Sequence, residues 1–196
     1  IGGSDLSFAN AFVTKLGNDP FTYPLGDIAL PHAYHPLSIS APSGVGSNVK
    51  AALTVTNPTG SFLPDSLTEN VNECFGWYLE SSTDTAGVYI TSYWNNEQCR
   101  VYAPAKMRVS QWNGAFWESR GGSSSTGDSL LGTITTGTSV NPNGYFRLSN
   151  QICYSLQSVE LVDHPTCTLA EDGAIEVKPD NGEAPFSILW LNPKND

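Results

Sequence analysis

Residues 107–117, Met-Arg-Val-Ser-Gln-Trp-Asn-Gly-Ala-Phe-Trp, decide the fold class. Residues 107–110 alternate outward and inward side chains, Trp112, Asn113 and Gly114 turn the chain, and Phe116 and Trp117 start it back. Asn-Gly between aromatic and β-branched runs signals a hairpin, because both central residues of a type I′ turn need φ > 0. Working outward, the same alternation marks strands at 8–15, 36–40, 49–56, 75–79, 88–94, 130–135 and 144–148. Between them lie Asn57-Pro-Thr-Gly60, Gly121-Gly-Ser-Ser-Ser-Thr-Gly127 and Asn141-Pro-Asn-Gly144, which supply φ > 0 positions or a fixed proline φ. No segment keeps a 3.6-residue apolar period for three turns, so the expectation is all-β, an antiparallel sandwich over residues 1–160.

A chain of 196 residues with 39% hydrophobic content can bury one full core and part of another. Nineteen acidic against nine basic residues give a formal charge of −10, a field that repels phosphate backbones and anionic headgroups. Nucleic acid and membrane-surface partners are therefore not expected. No apolar run approaches the roughly 18 to 20 residues that span a bilayer, and Ile1-Gly-Gly-Ser4 lacks both Met and a signal-peptide core. The N-terminus reads as processed or cut from a larger chain.

Four cysteines without a CxxC pair fit disulfides better than a metal cage, which places the protein outside the cell. Cys74 and Cys99 are the favoured pair, because they flank an expected hairpin of strands at 74–80 and 88–94. Buried free thiols are the alternative. For Cys153 and Cys167 the pairing stays open.

Leu156, Val159 and Leu161 form one more alternating run that stops at Pro165, and a second unit is expected over 161–196. There, 174–179 reads as a strand, 180–183 as a turn and 185–190 as a returning strand, a hairpin too small to hide both faces. Residues 166–196 should therefore make backbone hydrogen bonds outside their own hairpin, and edge-strand pairing between copies is one way to do so.

Several stretches, taken in order, carry a resemblance: Phe21-Thr-Tyr-Pro-Leu-Gly26, Pro36-Leu-Ser-Ile-Ser40, Trp77, Val88-Tyr-Ile-Thr-Ser-Tyr-Trp94, the hairpin above, Gly132-Thr-Ile134 and Gly144-Tyr-Phe-Arg-Leu148. Together they resemble the β-sandwich module of large Bacteroidetes surface proteins exported by the type IX secretion system. The departure is Asn95-Asn-Glu-Gln-Cys-Arg100. The tail, with Cys167, Asp172-Gly173, Ile175, Val177, Gly182, Pro185-Phe186 and Trp190, is similar to the SprB-type repeat of gliding-motility adhesins, an immunoglobulin-like unit. The likeness implies export, cell-surface adhesion, gliding or filament assembly, with other domains of the same long chain as partners. It also implies that the partner of Cys167 falls beyond Asp196; a Cys153–Cys167 bridge is the alternative.

Catalytic chemistry finds little footing. His32 and His35 would point to opposite faces of an extended chain, and Glu73, Glu80 and Glu118 are not placed together by anything in the sequence. No enzyme activity, catalytic residue or resident metal is expected. Calcium is a weak signal at Asp163, Glu171 and Asp172, against plain solvated acids. Aromatic residues favour sugar stacking or core filling; Tyr89 and Tyr93 share one face while Trp94 takes the other. Trp112 and Trp94 are the glycan-stacking candidates, and surface glycans the partner class. The triplets Asp65-Ser66-Leu67, Asp84-Thr85-Ala86 and Asp128-Ser129-Leu130 match a Bacteroidetes O-glycosylation pattern, so Ser66, Thr85 and Ser129 are candidate acceptors, unless each Asp merely closes a turn. The expectation is a non-catalytic extracellular module of a large adhesin or filament-forming protein, with a carbohydrate-binding module of a secreted polysaccharide-degrading enzyme as the alternative.

Overall fold

In this computed structural model the described residues are 3–30, 32–44, 46–55, 60, 63–65, 68–82, 87–95, 104–128, 130–151, 159–163 and 174–177. In chain order the strands are β1 (Val13–Leu16), β2 (Phe21–Tyr23), β3 (Leu37–Ile39), β4 (Asn48–Thr54), β5 (Thr68–Val71), β6 (Gly76–Ser81) and β7 (Ile90–Asn95). They continue with β8 (Met107–Trp112), β9 (Trp117–Ser119), β10 (Ser124–Gly127), β11 (Leu131–Thr135), β12 (Gly144–Gln151), β13 (Val159–Asp163) and β14 (Ala174–Val177). Among the described residues the helical content is a single 3-10 turn at Pro104–Lys106. Among the described residues no helix is long and apolar enough to cross a membrane.

The chain divides into two units, 1–152 and 153–196. The division falls ahead of the expected boundary at residue 160, because β13 pairs antiparallel with β14 inside the second unit. Ala174–Val177 thus bonds to a strand outside 166–196. The expected return strand at 185–190 lies outside the described residues.

The first unit is an antiparallel sandwich. One sheet has seven strands in the order β1-β4-β6-β12-β8-β9, with β5 also on β12; the other has five, β10-β11-β7-β3-β2. Alternation decides which side chains lie between them: Ile90, Ser92 and Trp94 point inward from β7, and Thr91, Tyr93 and Asn95 point out. Trp77, Leu79, Phe146, Leu148, Met107 and Val109 meet them from the seven-stranded sheet in one buried cluster. Each fully buried side chain of this size contributes on the order of 1.5–3 kcal/mol. The polar tips of three large aromatics in this core are matched: Tyr23 Oη donates to Val49 O at 2.9 Å, Trp77 Nε1 to His35 O at 3.1 Å and Trp94 Nε1 to Asp128 O at 3.0 Å.

Three expectations change. β6 and β7 do not form a hairpin: β6 pairs β4 and β12, whereas β7 pairs β3 and β11, so the connection passes from one sheet to the other. Two alternating strands in succession satisfy a sandwich as well as a hairpin, and sequence spacing does not separate the two. The stretch 121–127, read as a turn, contains edge strand β10, which pairs β11 in register Thr126↔Thr133. Its Ser-Ser-Thr-Gly sequence has no apolar residue to reveal alternation. Lastly, the β8–β9 turn centres one residue later than Asn113-Gly114. Trp112 pairs Trp117, Gly114 has φ +103°, and Asn113 Oδ1 accepts from the Ala115 and Phe116 amides at 2.9 and 3.0 Å. Asn113 therefore closes the turn with its side chain instead of occupying its centre.

Charge is segregated between the sheets. No strand of the five-stranded sheet contains Asp, Glu, Lys, Arg or His. The seven-stranded sheet carries Lys15, Lys50, Glu80, Arg108, Glu118 and Arg147. Arg147 is buried, donates from Nη1 to Asn72 O at 2.6 Å and lies 5.7 Å from the Trp117 ring. Burial lowers its pKa to about 10, so it remains a cation at neutral pH.

Candidate functional site

The outward face of the five-stranded sheet is a lattice of hydroxyls. Each neighbouring strand pair in it is joined by a side-chain hydrogen bond: Thr22–Ser38 at 2.7 Å, Ser38–Tyr93 at 3.0 Å, Thr91–Thr135 at 2.8 Å and Thr126–Thr133 at 2.7 Å. The strand register causes this, since it sets Thr22 opposite Ser38, Thr135 opposite Thr91 and Thr126 opposite Thr133. Cross-strand pairs of this kind contribute roughly 0.2–1 kcal/mol each.

At one end of the face lies a groove of about 540 Å³, within the range of about 300–1,000 Å³ usual for small-molecule sites. Tyr34 and Pro36 flank it on one side, Tyr93 and Asn95 come from β7, Leu131 and Thr133 from β11, and Thr126 from β10. No Asp, Glu, Lys or Arg lines it. Tyr34 is fixed by its amide, which donates to Asp5 Oδ1 at 2.9 Å, and by Gly3, where an added Cβ would stand 2.2 Å from the Tyr34 ring.

The stacking candidates need revision. Trp94 is only 3% exposed, and a Cβ on Gly132 would lie 2.2 Å from its Cζ2, so the indole lines the groove from beneath Gly132 with little surface in the open. Tyr93, the outward neighbour, lines the groove beside it and is the more exposed of the two. Trp112 is half-buried, its ring 5.6 Å from that of the fully buried Trp117 at an interplanar angle of 57°. A second aromatic group, Phe12, Tyr78 and Tyr145, lies on the seven-stranded sheet. Its rings meet at 81° and 50°, which gives no flat platform.

Histidines and carboxylates are engaged separately. His32 Nδ1 lies 3.2 Å from Asp5 Oδ2, and bonds from the Tyr34 amide and His32 hold the Asp5 carboxyl below its ordinary pKa. His35 is inward and buried, its ring 4.0 Å from that of Phe75. Its Nε2 has no partner, and burial lowers its pKa. Glu80 pairs Lys50 and Glu118 pairs Arg120, each at 3.1 Å. Among the described residues no group of three His, Cys, Asp or Glu could hold a metal. For the calcium candidates, only the backbone of Asp163, in β13, is described. Glu171 and Asp172 lie outside the described residues.

Cys74 is disulfide-bonded, and its amide donates to Asn72 Oδ1 at 2.8 Å. Cys99, Cys153 and Cys167 lie outside the described residues, as do Ser66, Thr85 and Ser129. Two of the flanking aspartates are in view. Asp65 Oδ2 accepts from Ser119 N at 2.8 Å, and Asp128 Oδ1 accepts from Leu130 N and Leu131 N at 2.7 and 3.1 Å. Asp128 thus closes the β10–β11 turn, and those amides depress its carboxyl pKa. No family model matches the chain, and no curated protein or solved structure matches it.

Proposed function

We propose that the chain is a non-catalytic module of a large cell-surface protein and acts outside the cell in adhesion or assembly. The disulfide at Cys74 carries the reading, because such bonds persist in oxidising compartments and are rare in the cytosol. An all-β sandwich followed by a second β unit suits a chain that displays modules in series. The likeness to type IX-exported Bacteroidetes modules and to SprB-type repeats adds the export route and the gliding or adhesive role. O-linked sugar on Ser66, Thr85 and Ser129 belongs to the same reading.

Intact cells of the native host test it. Antibody against this module should label unpermeabilised cells, protease shaving should release its peptides, and deletion of the parent protein should weaken attachment or gliding. Signal that appears only after lysis overturns the reading. The ligand-sized groove favours a second reading, a carbohydrate-binding module of a secreted polysaccharide-degrading enzyme. Polysaccharide hydrolysis by the purified native parent protein would select it.

A further inference from the structure

We propose that the groove at Tyr34, Tyr93, Asn95, Thr126 and Thr133 binds an uncharged polysaccharide chain, which continues along the hydroxyl face of the five-stranded sheet. The inference rests on the module working outside the cell, where glycans are within reach.

Charge narrows the ligand first. The groove has no Lys or Arg to pair an anion, in a protein whose formal charge is −10, and no carboxylate to hold a cation. Polarity narrows it further. A purely apolar ligand would displace water from the remaining hydrogen-bonding capacity of the Thr126, Thr133 and Tyr93 hydroxyls and from the Asn95 amide without replacing those bonds, which disfavours it. A neutral sugar presents donors and acceptors along its whole length. The lattice can meet them: seven hydroxyls share four mutual bonds, which leaves three hydrogens and most lone pairs free for a ligand. Tyr34 and Tyr93 add apolar ring surface against which the C–H face of a pyranose can pack. The strip spans all five strands without a charge, so a linear polymer gains contacts with each added residue where a single monosaccharide does not.

Native affinity electrophoresis of the full chain tests this, with neutral glucan, mannan, arabinoxylan and galactan in the gel, and alginate and polygalacturonate as acidic counterparts. At least one neutral polymer should retard the protein, and Tyr93→Ala and Thr133→Asp should each weaken that retardation at least tenfold. Tyr145→Ala, on the other sheet, should leave it unchanged. Should Tyr93→Ala fail to fold by circular dichroism, Thr126→Asp on the exposed edge strand takes its place. No retardation by any neutral polymer, retardation by the acidic polymers alone, or wild-type binding by the groove variants overturns the proposal. Concentration-dependent self-association without polymer binding also overturns it, in favour of a second copy as occupant. Failure here with surface labelling intact removes only the glycan; glycan binding by a protein found only inside cells removes the surface reading instead.

Discussion

The phenol oxygen of Tyr23 lies 2.9 Å from the carbonyl oxygen of Val49, which ties edge strand β2 of the five-stranded sheet to β4 of the seven-stranded one. Tyr23 is fully buried, so no water can stand in for the lost partner when the hydroxyl is removed. Tyr23→Phe keeps the ring and deletes the bond. It should cost about 1 kcal/mol, read as a lower urea midpoint at unchanged slope. An unchanged midpoint would show that the bond contributes nothing net.

A Cβ on Gly76 would lie 2.6 Å from Arg147 Cγ and also 2.6 Å from the Phe146 carbonyl oxygen. Gly76→Ala should therefore destabilise by about 1–3 kcal/mol, the usual range for overpacking. Trimming the arginine relieves only one of the two clashes. The double variant with Arg147→Ala should stay destabilised, and full recovery of the melting temperature would contradict the backbone clash.

Because β6 and β7 belong to different sheets, a bridge from Cys74 to Cys99 would fasten one sheet to the other instead of closing a hairpin. Non-reducing peptide mapping should recover that pair. Cys74→Ser should lower stability by roughly 2–5 kcal/mol. A peptide that links Cys74 to Cys153 or Cys167 rules the pairing out.

Burial lowers the pKa of His35 below its ordinary value of about 6.5. The unfolded chain then takes up a proton before the folded one does, and the folded state loses ground as pH falls below about 6.5, until the native ring protonates too. Above that pH both states are neutral and the contribution is flat. His35→Phe should remove this part of the pH dependence, as measured by urea unfolding at pH 8, 6.5 and 5. Parallel profiles for variant and wild type would exclude His35 as the cause.

What the sequence reveals depends on apolar contrast. β4, β8 and β12 are legible because Val49 and Ala51, Met107 and Val109, and Phe146 and Leu148 stand two residues apart, and β7 because Ile90 and Trp94 fall on one face four residues apart. The opposite facing of Tyr93 and Trp94 follows from the same period. β10 is illegible because all four of its residues are exposed, and β2 because only three residues pair before Pro24. Pairing partners are hidden as well, since alternation gives a strand its faces but not its neighbours. The groove depends on that missing information: Tyr34, Tyr93, Thr133 and Thr126 are far apart in sequence and meet only through the register of the sheet. The burial of Trp94 is hidden for the same reason, as nothing local to it announces that Gly132 will lie against its ring.

The uneven placement of charge gives the two outer faces different responses to ionic strength. Pairs such as Lys50–Glu80 and Arg120–Glu118 are screened as the Debye length shrinks from about 10 Å at 0.1 M salt to about 3 Å at 1 M. Contacts made by the face built on Thr22, Ser38, Thr91 and Thr133 involve no net charge, so screening has nothing there to weaken. Whatever docks on that face should hold nearly as well in brine as in dilute buffer.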